Sequence, residues 1–431
     1  MIGTDPMPMP IKKEGALVYT SAGQFNCDGT PIGDGFSYSN SSSGEAVIPP
    51  HQYEDGWCVN CGKMQEDYLN MVDGFYEIHD GAEFVWWCQY ANLHSNANAK
   101  LMDDIDMTDY NDRFVPVGMF VGEFDGQGHT FSGVDISGGD YFGLISLIGD
   151  GANIHDFVLD ETCFISGAAF VGIIGGTSGG GNIYITNVGN EGNVTGTAQN
   201  VCGILGVDVG GSMTLHISNC WFTGTIFAGR ESAAICGYSS SDSEVTNCWG
   251  AFTINQAGIY DCDSFTRGGA KVTNYYEADI PDVDANKQQH VRAMADNRKA
   301  IPLPTEDIAS GALCFNLNNK QFRNPEWYQT IGEDEHPYPY STHDVIVYAG
   351  EQYLAVSEET LSYVTSTISS YYADKLAEIP AAYTGALENM EARIEALDDV
   401  TSVNELADAL DSIYVAEAVV EASVNVYKKY Q

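Results

Sequence analysis

Cys58-Val59-Asn60-Cys61, followed by Gly62, is the segment of this chain best suited to chemistry. Two thiolates at this spacing on a tight turn can face a single ion while the turn amides support the sulfurs. A tetrahedral zinc would need two further ligands. With four protein ligands it would have no open position for a substrate, so such a site is structural. Two other chemistries fit the same residues: a disulfide or free thiols, and a redox pair, suggested by Trp57 immediately before Cys58. A redox pair needs a strand before it and a long helix after it. The polar stretch from His51 to Gly56 and the run Gly62-Lys63-Met64-Gln65-Glu66-Asp67 predict neither.

A second chemical pattern is a row of amides at regular spacing. Ile154-His155-Asp156-Phe157, Ile185-Thr186-Asn187-Val188, Ile217-Ser218-Asn219-Cys220 and Val245-Thr246-Asn247-Cys248 repeat one motif, with steps of 31, 32 and 28 residues from 156 to 187, 219 and 247. Phe142-Gly143-Leu144-Ile145, Val171-Gly172-Ile173-Ile174, Cys202-Gly203-Ile204-Leu205 and Ala233-Ala234-Ile235-Cys236 form a second track, with steps of 29, 31 and 31 from 143 to 172, 203 and 234. Asn187, Asn219 and Asn247 read as an internal ladder, each amide bonding to the next coil, in preference to a ligand-binding row. Cys220 and Cys248 could form a disulfide, bind metal or sit as small buried thiols. Gly143, Gly172 and Gly203 are expected at corners with positive φ.

The elements that must position these residues are short. β-Branched pieces separated by Gly, Asn and Ser read as strands with tight corners, and no window between 140 and 256 has a helical period. A repeat of about 30 residues cannot bury its apolar face alone; stacking solves this and predicts a β-solenoid. Residues 81–92 read as one helix capping the open end of the stack, with Trp86 and Trp87 covering the core in preference to stacking on sugars. Asp103, Asp104, Asp106 and Asp109 lack the spacing, Gly and distal Glu of a calcium loop and read as a solvated strand edge. Gly126-Gln127-Gly128 is too short for a dinucleotide loop. From about Ser357 the grammar turns helical: Leu361 to Ile379, a second helix opened by Pro380, and a third whose Ser402 and Glu405 form a capping box. Three such helices imply a small bundle.

The repeats resemble the GLUG-repeat modules of large bacterial cell-surface proteins. The likeness rests on Phe170-Val171-Gly172-Ile173-Ile174-Gly175, Ile185-Thr186-Asn187-Val188 and Gly192-Asn193-Val194-Thr195-Gly196. The lead-in Phe124-Asp125-Gly126-Gln127-Gly128-His129-Thr130 and the closing piece around Trp327-Tyr328-Gln329-Thr330-Ile331-Gly332 are also similar. The resemblance spans roughly residues 50–348. Asp156 in place of the ladder Asn, and Ala233-Ala234 in place of Val-Gly, depart from it at the two ends of the stack. It implies a mainly β protein with a right-handed parallel β-helix, no established catalytic residues, and a secreted or cell-surface, adhesin-like role. The cysteine segment resembles zinc-ribbon-like units that precede such modules, which makes His51 and Cys27 the candidates to complete a zinc site with Cys58 and Cys61. The implied organisation is an N-terminal arm and zinc-ribbon-like segment (1–70), a capping helix and β lead-in (71–139), the solenoid (140–280), a closing segment (281–349) and a helical bundle (350–431).

Composition narrows the partners. In 431 residues, 18 Lys+Arg stand against 60 Asp+Glu, a formal net charge of -42 that repels phosphate backbones and anionic headgroups. Nucleic acid and membrane insertion are not expected. Hydrophobic content of 44% with 25 Tyr and 18 Phe marks a folded chain. No charged segment followed by an apolar core opens it, so an exported protein is expected to have lost its signal. Residues 140–256 hold ten acids and one base, Arg230, which argues against a lyase acting on acidic sugars. Hydrolases need paired carboxylates about 5–10 Å apart, and the acids do not recur in the repeat tracks. The expectation is a non-enzymatic adhesion or display scaffold binding a host or neighbouring-cell protein or a neutral glycan. The alternatives are a glycoside hydrolase on a β-helix and a self-assembling surface-layer or fibre subunit.

Overall fold

The computed structural model describes residues 51–59, 61–209, 213–240, 242–256, 261–263, 266–278, 290–292, 300–349, 351–379 and 384–430, with short strand pieces among the first fifty. Parallel strands from successive repeats lie side by side and wrap one core. Three apolar columns show why. Ala99, Phe124, Ile154, Ile185, Ile217, Val245 and Val272 pair in that order along one face. Ile136, Ile165, Val194 and Ile226 form the second face, and Ile145, Ile174, Leu205 and Cys236 the third. Each column places one apolar residue per coil at the same inward position, branched or aromatic at all but Ala99 and Cys236, so every coil's apolar face is covered by its neighbours. The result is a β-solenoid.

The corners are set by residues with positive φ. Gln127, Asp156, Asn187, Asn219, Asn247 and Asn274 have φ between 53° and 61°, one per coil, and mark about six turns. Asn and Asp tolerate this left-handed region better than most residues. The stack therefore begins before residue 140, with Glu123–Ser132 and Ala99–Leu101 already in the long parallel sheet.

Gly143, Gly172 and Gly203 are not among the residues with positive φ; in the second track that conformation belongs to Tyr141, Phe170 and Asn200. The expected corner role is corrected to one of clearance. A β-carbon on Gly143 would stand 2.3 Å from the carbonyl oxygen of Gly172, one on Gly172 2.8 Å from that of Ile204, and one on Gly203 2.6 Å from that of Ala234. Each glycine lets the next coil's backbone approach.

The helix α1 (Gly81–Ala91) closes the open N-terminal end. Asp80 caps it by accepting from the Glu83 amide at 2.9 Å. Phe84 and Trp87 pack on Phe120, Phe124 and Phe131 of the first coils, while Trp86 faces Tyr68, Tyr76 and Tyr90. The helix is apolar on both sides because it is sandwiched between the stack and the N-terminal segment.

The closing segment lies against the flank of the long sheet. Val158 and, beyond the coil of Gly189, Trp221, Trp249 and Tyr276 project outward along one column and are buried by Leu313, Phe315, Leu317 and Trp327, which come from α2 (Ala312–Leu317) and the loop after it. Past this, an antiparallel hairpin of Val345–Ala349 and Gln352–Val356 shares one core with the helices Leu361–Ala377, Thr384–Glu395 and Val403–Tyr430. That core straddles residue 350, since Val347 and Ala349 pack in it with Leu354 and Val356. Pro380 lies outside the described residues. Arg323 of the closing segment bonds Asp408 and Asp411 of the last helix at 2.5 and 2.9 Å.

Candidate functional site

A two-residue hairpin, Tyr53–Glu54 against Trp57–Cys58, turns through Asp55 and Gly56, both with positive φ. The Gly62 amide donates to the Cys58 carbonyl at 2.8 Å and closes the knuckle. His51 Nδ1 lies 3.4 Å from Cys61 Sγ, and the ligand atoms of His51, Cys58 and Cys61 all fall within 4.8 Å of one another. This donor set fits a zinc ion. Cys27, the fourth predicted ligand, lies outside the described residues. The first helix after the cysteines is α1, beginning at Gly81, so the long helix that a redox pair needs does not follow them. Trp86 Nε1 donates to the Gln65 carbonyl at 3.1 Å and ties the segment to the cap.

The amide row runs along one corner of the stack. Asn247 Nδ2 donates to Asn219 Oδ1 at 2.8 Å, Asn274 Nδ2 to Asn247 Oδ1 at 2.6 Å, and Asn187 Nδ2 to Asp156 Oδ1 at 2.7 Å. Asn187 Oδ1 is buried without a partner, so the chain of bonds is interrupted between Asn187 and Asn219. Asn247 Nδ2 also donates to Glu326 Oε2 at 2.8 Å, and Tyr340 donates to the Asn187 carbonyl at 3.0 Å. The closing segment thus covers the row. Cys220 and Cys248 sit one residue after their ladder positions as buried thiols without a disulfide, and the Cys220 amide donates to Cys248 Sγ at 3.4 Å. Burial, then the neighbouring Cys248, holds the Cys220 thiol well above its ordinary value, which keeps it an unreactive thiol.

A cleft of about 630 Å³ opens where the closing segment meets the solenoid flank, lined by Glu161, Glu191, Thr223 and Trp249 on one side and by Glu333 to His336 and Tyr338 on the other. His336 Nε2 lies 3.0 Å from Glu191 Oε1 and Nδ1 lies 3.1 Å from the Pro337 carbonyl. Trp221 Nε1 donates to the same Glu191 oxygen at 3.3 Å. Asp334 is held by His343 at 2.9 Å and by the Thr330 amide. Trp249 has its indole N–H buried with no hydrogen-bond partner. Burial comes first in raising the Tyr338 phenol, followed by Glu191, Asp334, Glu335 and Glu161, so the cleft carries a negative potential.

Sequence reasoning missed this cleft. The acids do not recur in the two repeat tracks, yet Glu161 and Glu191 stand 30 residues apart, one repeat, and reach the same wall. They lie in the loops after Asn153–Leu159 and Gly181–Asn190, outside the two tracks whose spacing revealed the repeat. Equal loop positions on neighbouring coils were the signal available. Asp103, Asp104 and Asp106 do not converge: Asp103 meets His79, Asp104 meets His129, and Asp106 accepts from Thr108.

No protein-family model matches the chain, and no curated protein does. Among solved structures it is similar to a chain described as a "putative immunoglobulin A1 protease from Bacteroides ovatus", at 14% identity and a TM-score of 0.46, over 62% of this chain and 93% of that one. At that level the likeness bears on neither activity nor substrate. No helix among the described residues is long and apolar enough to cross a membrane.

Proposed function

We propose that the chain is a non-enzymatic adhesion or display scaffold, secreted or held at a cell surface, whose right-handed solenoid is a GLUG-type module. The observation that supports this reading is the cleft pinned by His336 and Glu191, two residues 145 positions apart whose side chains meet at 3.0 Å. A rod whose repeats bury one another has few concavities, and this one joins buried aromatic side chains to a carboxylate rim. Concave sites with an apolar wall and a few convergent polar groups are where ligands bind. The ligand class is a protein of a host or neighbouring cell, or a neutral glycan; the rim carboxylates repel anionic partners. A structural zinc held by Cys58, Cys61, His51 and Cys27 belongs to the same proposal. Arrays of glycans and extracellular proteins test it. Wild type binds a subset, and Thr223→Arg, which puts a bulky cation into the cleft, abolishes that binding. Binding unchanged in the variant, or no binding at all, would sink the reading.

A glycoside hydrolase is the second reading, favoured by the convergence of Glu161 and Glu191 on one cleft wall, since such enzymes place two carboxylates across a scissile bond. Release of reducing ends from neutral or pectic polysaccharides, lost in Glu161→Gln or Glu191→Gln, would put this reading in place of the first.

A further inference from the structure

At the second ladder corner the solenoid gathers a different set of groups. Asp125 and His155 are directly paired on neighbouring strands. His155 Nδ1 lies 2.7 Å from Asp156 Oδ2 and 3.6 Å from Asp125 Oδ1, while Nε2 lies 3.1 Å from Glu123 Oε1. The ligand atoms of Asp125, His155 and Asp156 fall within 4.8 Å of one another. Three carboxylates therefore surround one imidazole, and among the described residues no lysine or arginine forms an ion pair with them: Lys100, the partner of Asp125 on the preceding strand, is bonded to Glu77 at 3.0 Å. The His155, Asp125 and Asp156 side chains are 16%, 18% and 29% exposed, dry enough to strengthen the charges yet open to an ion from solvent.

We infer that Asp125, His155 Nδ1 and Asp156 form a binding site for a divalent transition-metal ion such as Zn²⁺. Three arguments carry this. An ion with bonds of about 2.1 Å in tetrahedral geometry sets its ligand atoms roughly 3.4 Å apart, and the 2.7 and 3.6 Å separations around Nδ1 bracket that value. The outer groups are also in place. Glu123 accepts from the far ring nitrogen, the arrangement that fixes a metal-bound histidine's tautomer. Asn187 Nδ2 holds Asp156 Oδ1 at 2.7 Å, and the Gln127 amide holds Asp125 Oδ1 at 2.9 Å. Finally, the corner residue is Asn in each of the four following coils and Asp only here, beside the one histidine of its column. An Asn would serve the ladder equally well, whereas only the carboxylate adds an anionic ligand. The site is separate from the cleft and from the cysteine segment, so it stands whether or not the adhesion reading does.

Co²⁺ titration of the wild type and of a Cys58→Ser/Cys61→Ser variant tests the inference. The expected result for the variant is one equivalent bound, with visible d–d absorption free of thiolate charge transfer and with the His155 ring signals perturbed; metal-free wild type should bind the same equivalent in addition to the one held by the cysteine segment. Asp156→Asn places the usual ladder residue at the corner and keeps the fold, judged by unchanged circular dichroism. It should weaken Co²⁺ binding at least tenfold, as should His155→Gln. Failure of the cysteine variant to bind, or equal binding after Asp156→Asn and His155→Gln, would overturn the site and mark any residual association as diffuse attraction to an acidic surface.

Discussion

The indole of Trp221 lies on Gly189 of the preceding coil, where a β-carbon would stand 2.1 Å from the ring. The ring has nowhere to retreat: Trp327, Tyr338 and Tyr340 pack around it with centroids 5.9 to 6.3 Å away. Gly189→Ala is therefore an overpacking change and should cost about 1–3 kcal/mol, read as a lower denaturant midpoint at constant slope. Gly139→Ala is the control, because nothing lies within 4 Å of its added carbon, and it should stay within about 0.5 kcal/mol of wild type. Equal effects at the two positions would mean that the flank is not tightly packed.

Asn247 joins the ladder to the closing segment through bonds to Asn219, Asn274 and Glu326, at a φ of 57°. Asn247→Ala loses all three bonds and strains the backbone, with an expected cost of about 2–4 kcal/mol. Asn247→Gly keeps the conformation and should recover about 1 kcal/mol of that. Asn247→Asp turns a donor into a second acceptor facing Asn219 Oδ1 and the Glu326 carboxylate, and should be worse than Gly at neutral pH. Chemical denaturation of the three variants ranks them, and an aspartate as stable as wild type would contradict the donor assignment.

How far the fold was legible follows from where its signals sit. Asn187, Asn219 and Asn247 recur in sequence because a left-handed corner accepts few residue types, so the stack could be read from spacing. Gln127 and Asn274 occupy the same corners but lie outside the span where both tracks repeat, so the stack looked shorter than it is. The glycine track was visible and its cause was not: positive φ and close backbone approach both select glycine, and only coordinates separate them. The cleft was harder. Glu191 and His336 meet because the closing segment folds back along the flank, and no local pattern encodes a contact between residues 145 apart.

Glu405 gives the last helix an acid-sensitive cap. Its side chain accepts from the Thr401 amide and hydroxyl, each at 2.7 Å, while its own amide donates to Ser402 Oγ at 3.2 Å. The predicted capping box is thus completed through Thr401, one residue earlier than Ser402. The Thr401 amide, then its hydroxyl, hold the Glu405 carboxyl below its ordinary value of 4.5. A carboxyl depressed in the folded state stabilises above its unfolded value, and that contribution disappears as the pH falls through the folded one. Carboxyl carbon shifts followed by NMR should give a midpoint under 4.5 that rises in Thr401→Val. A midpoint at or above 4.5 would show that the cap bond does not form.

Removing zinc should loosen the N-terminal segment and leave the solenoid intact. The proposed ligands Cys58, Cys61 and His51 sit on a short hairpin and knuckle with little apolar core of their own, and small units of that kind depend on their metal. The stack behind them is held by columns of buried apolar residues and by α1, none of which supplies a ligand to the cysteine site. Purified protein should therefore carry zinc that depends on the cysteine pair, falling by one equivalent in Cys61→Ser. Chelation should open residues 51–68 to limited proteolysis while circular dichroism of the β-rich region stays unchanged. Equal zinc content in wild type and Cys61→Ser would show that the cysteines do not hold it, and a chelator that collapsed the whole fold would place the metal's role in the solenoid.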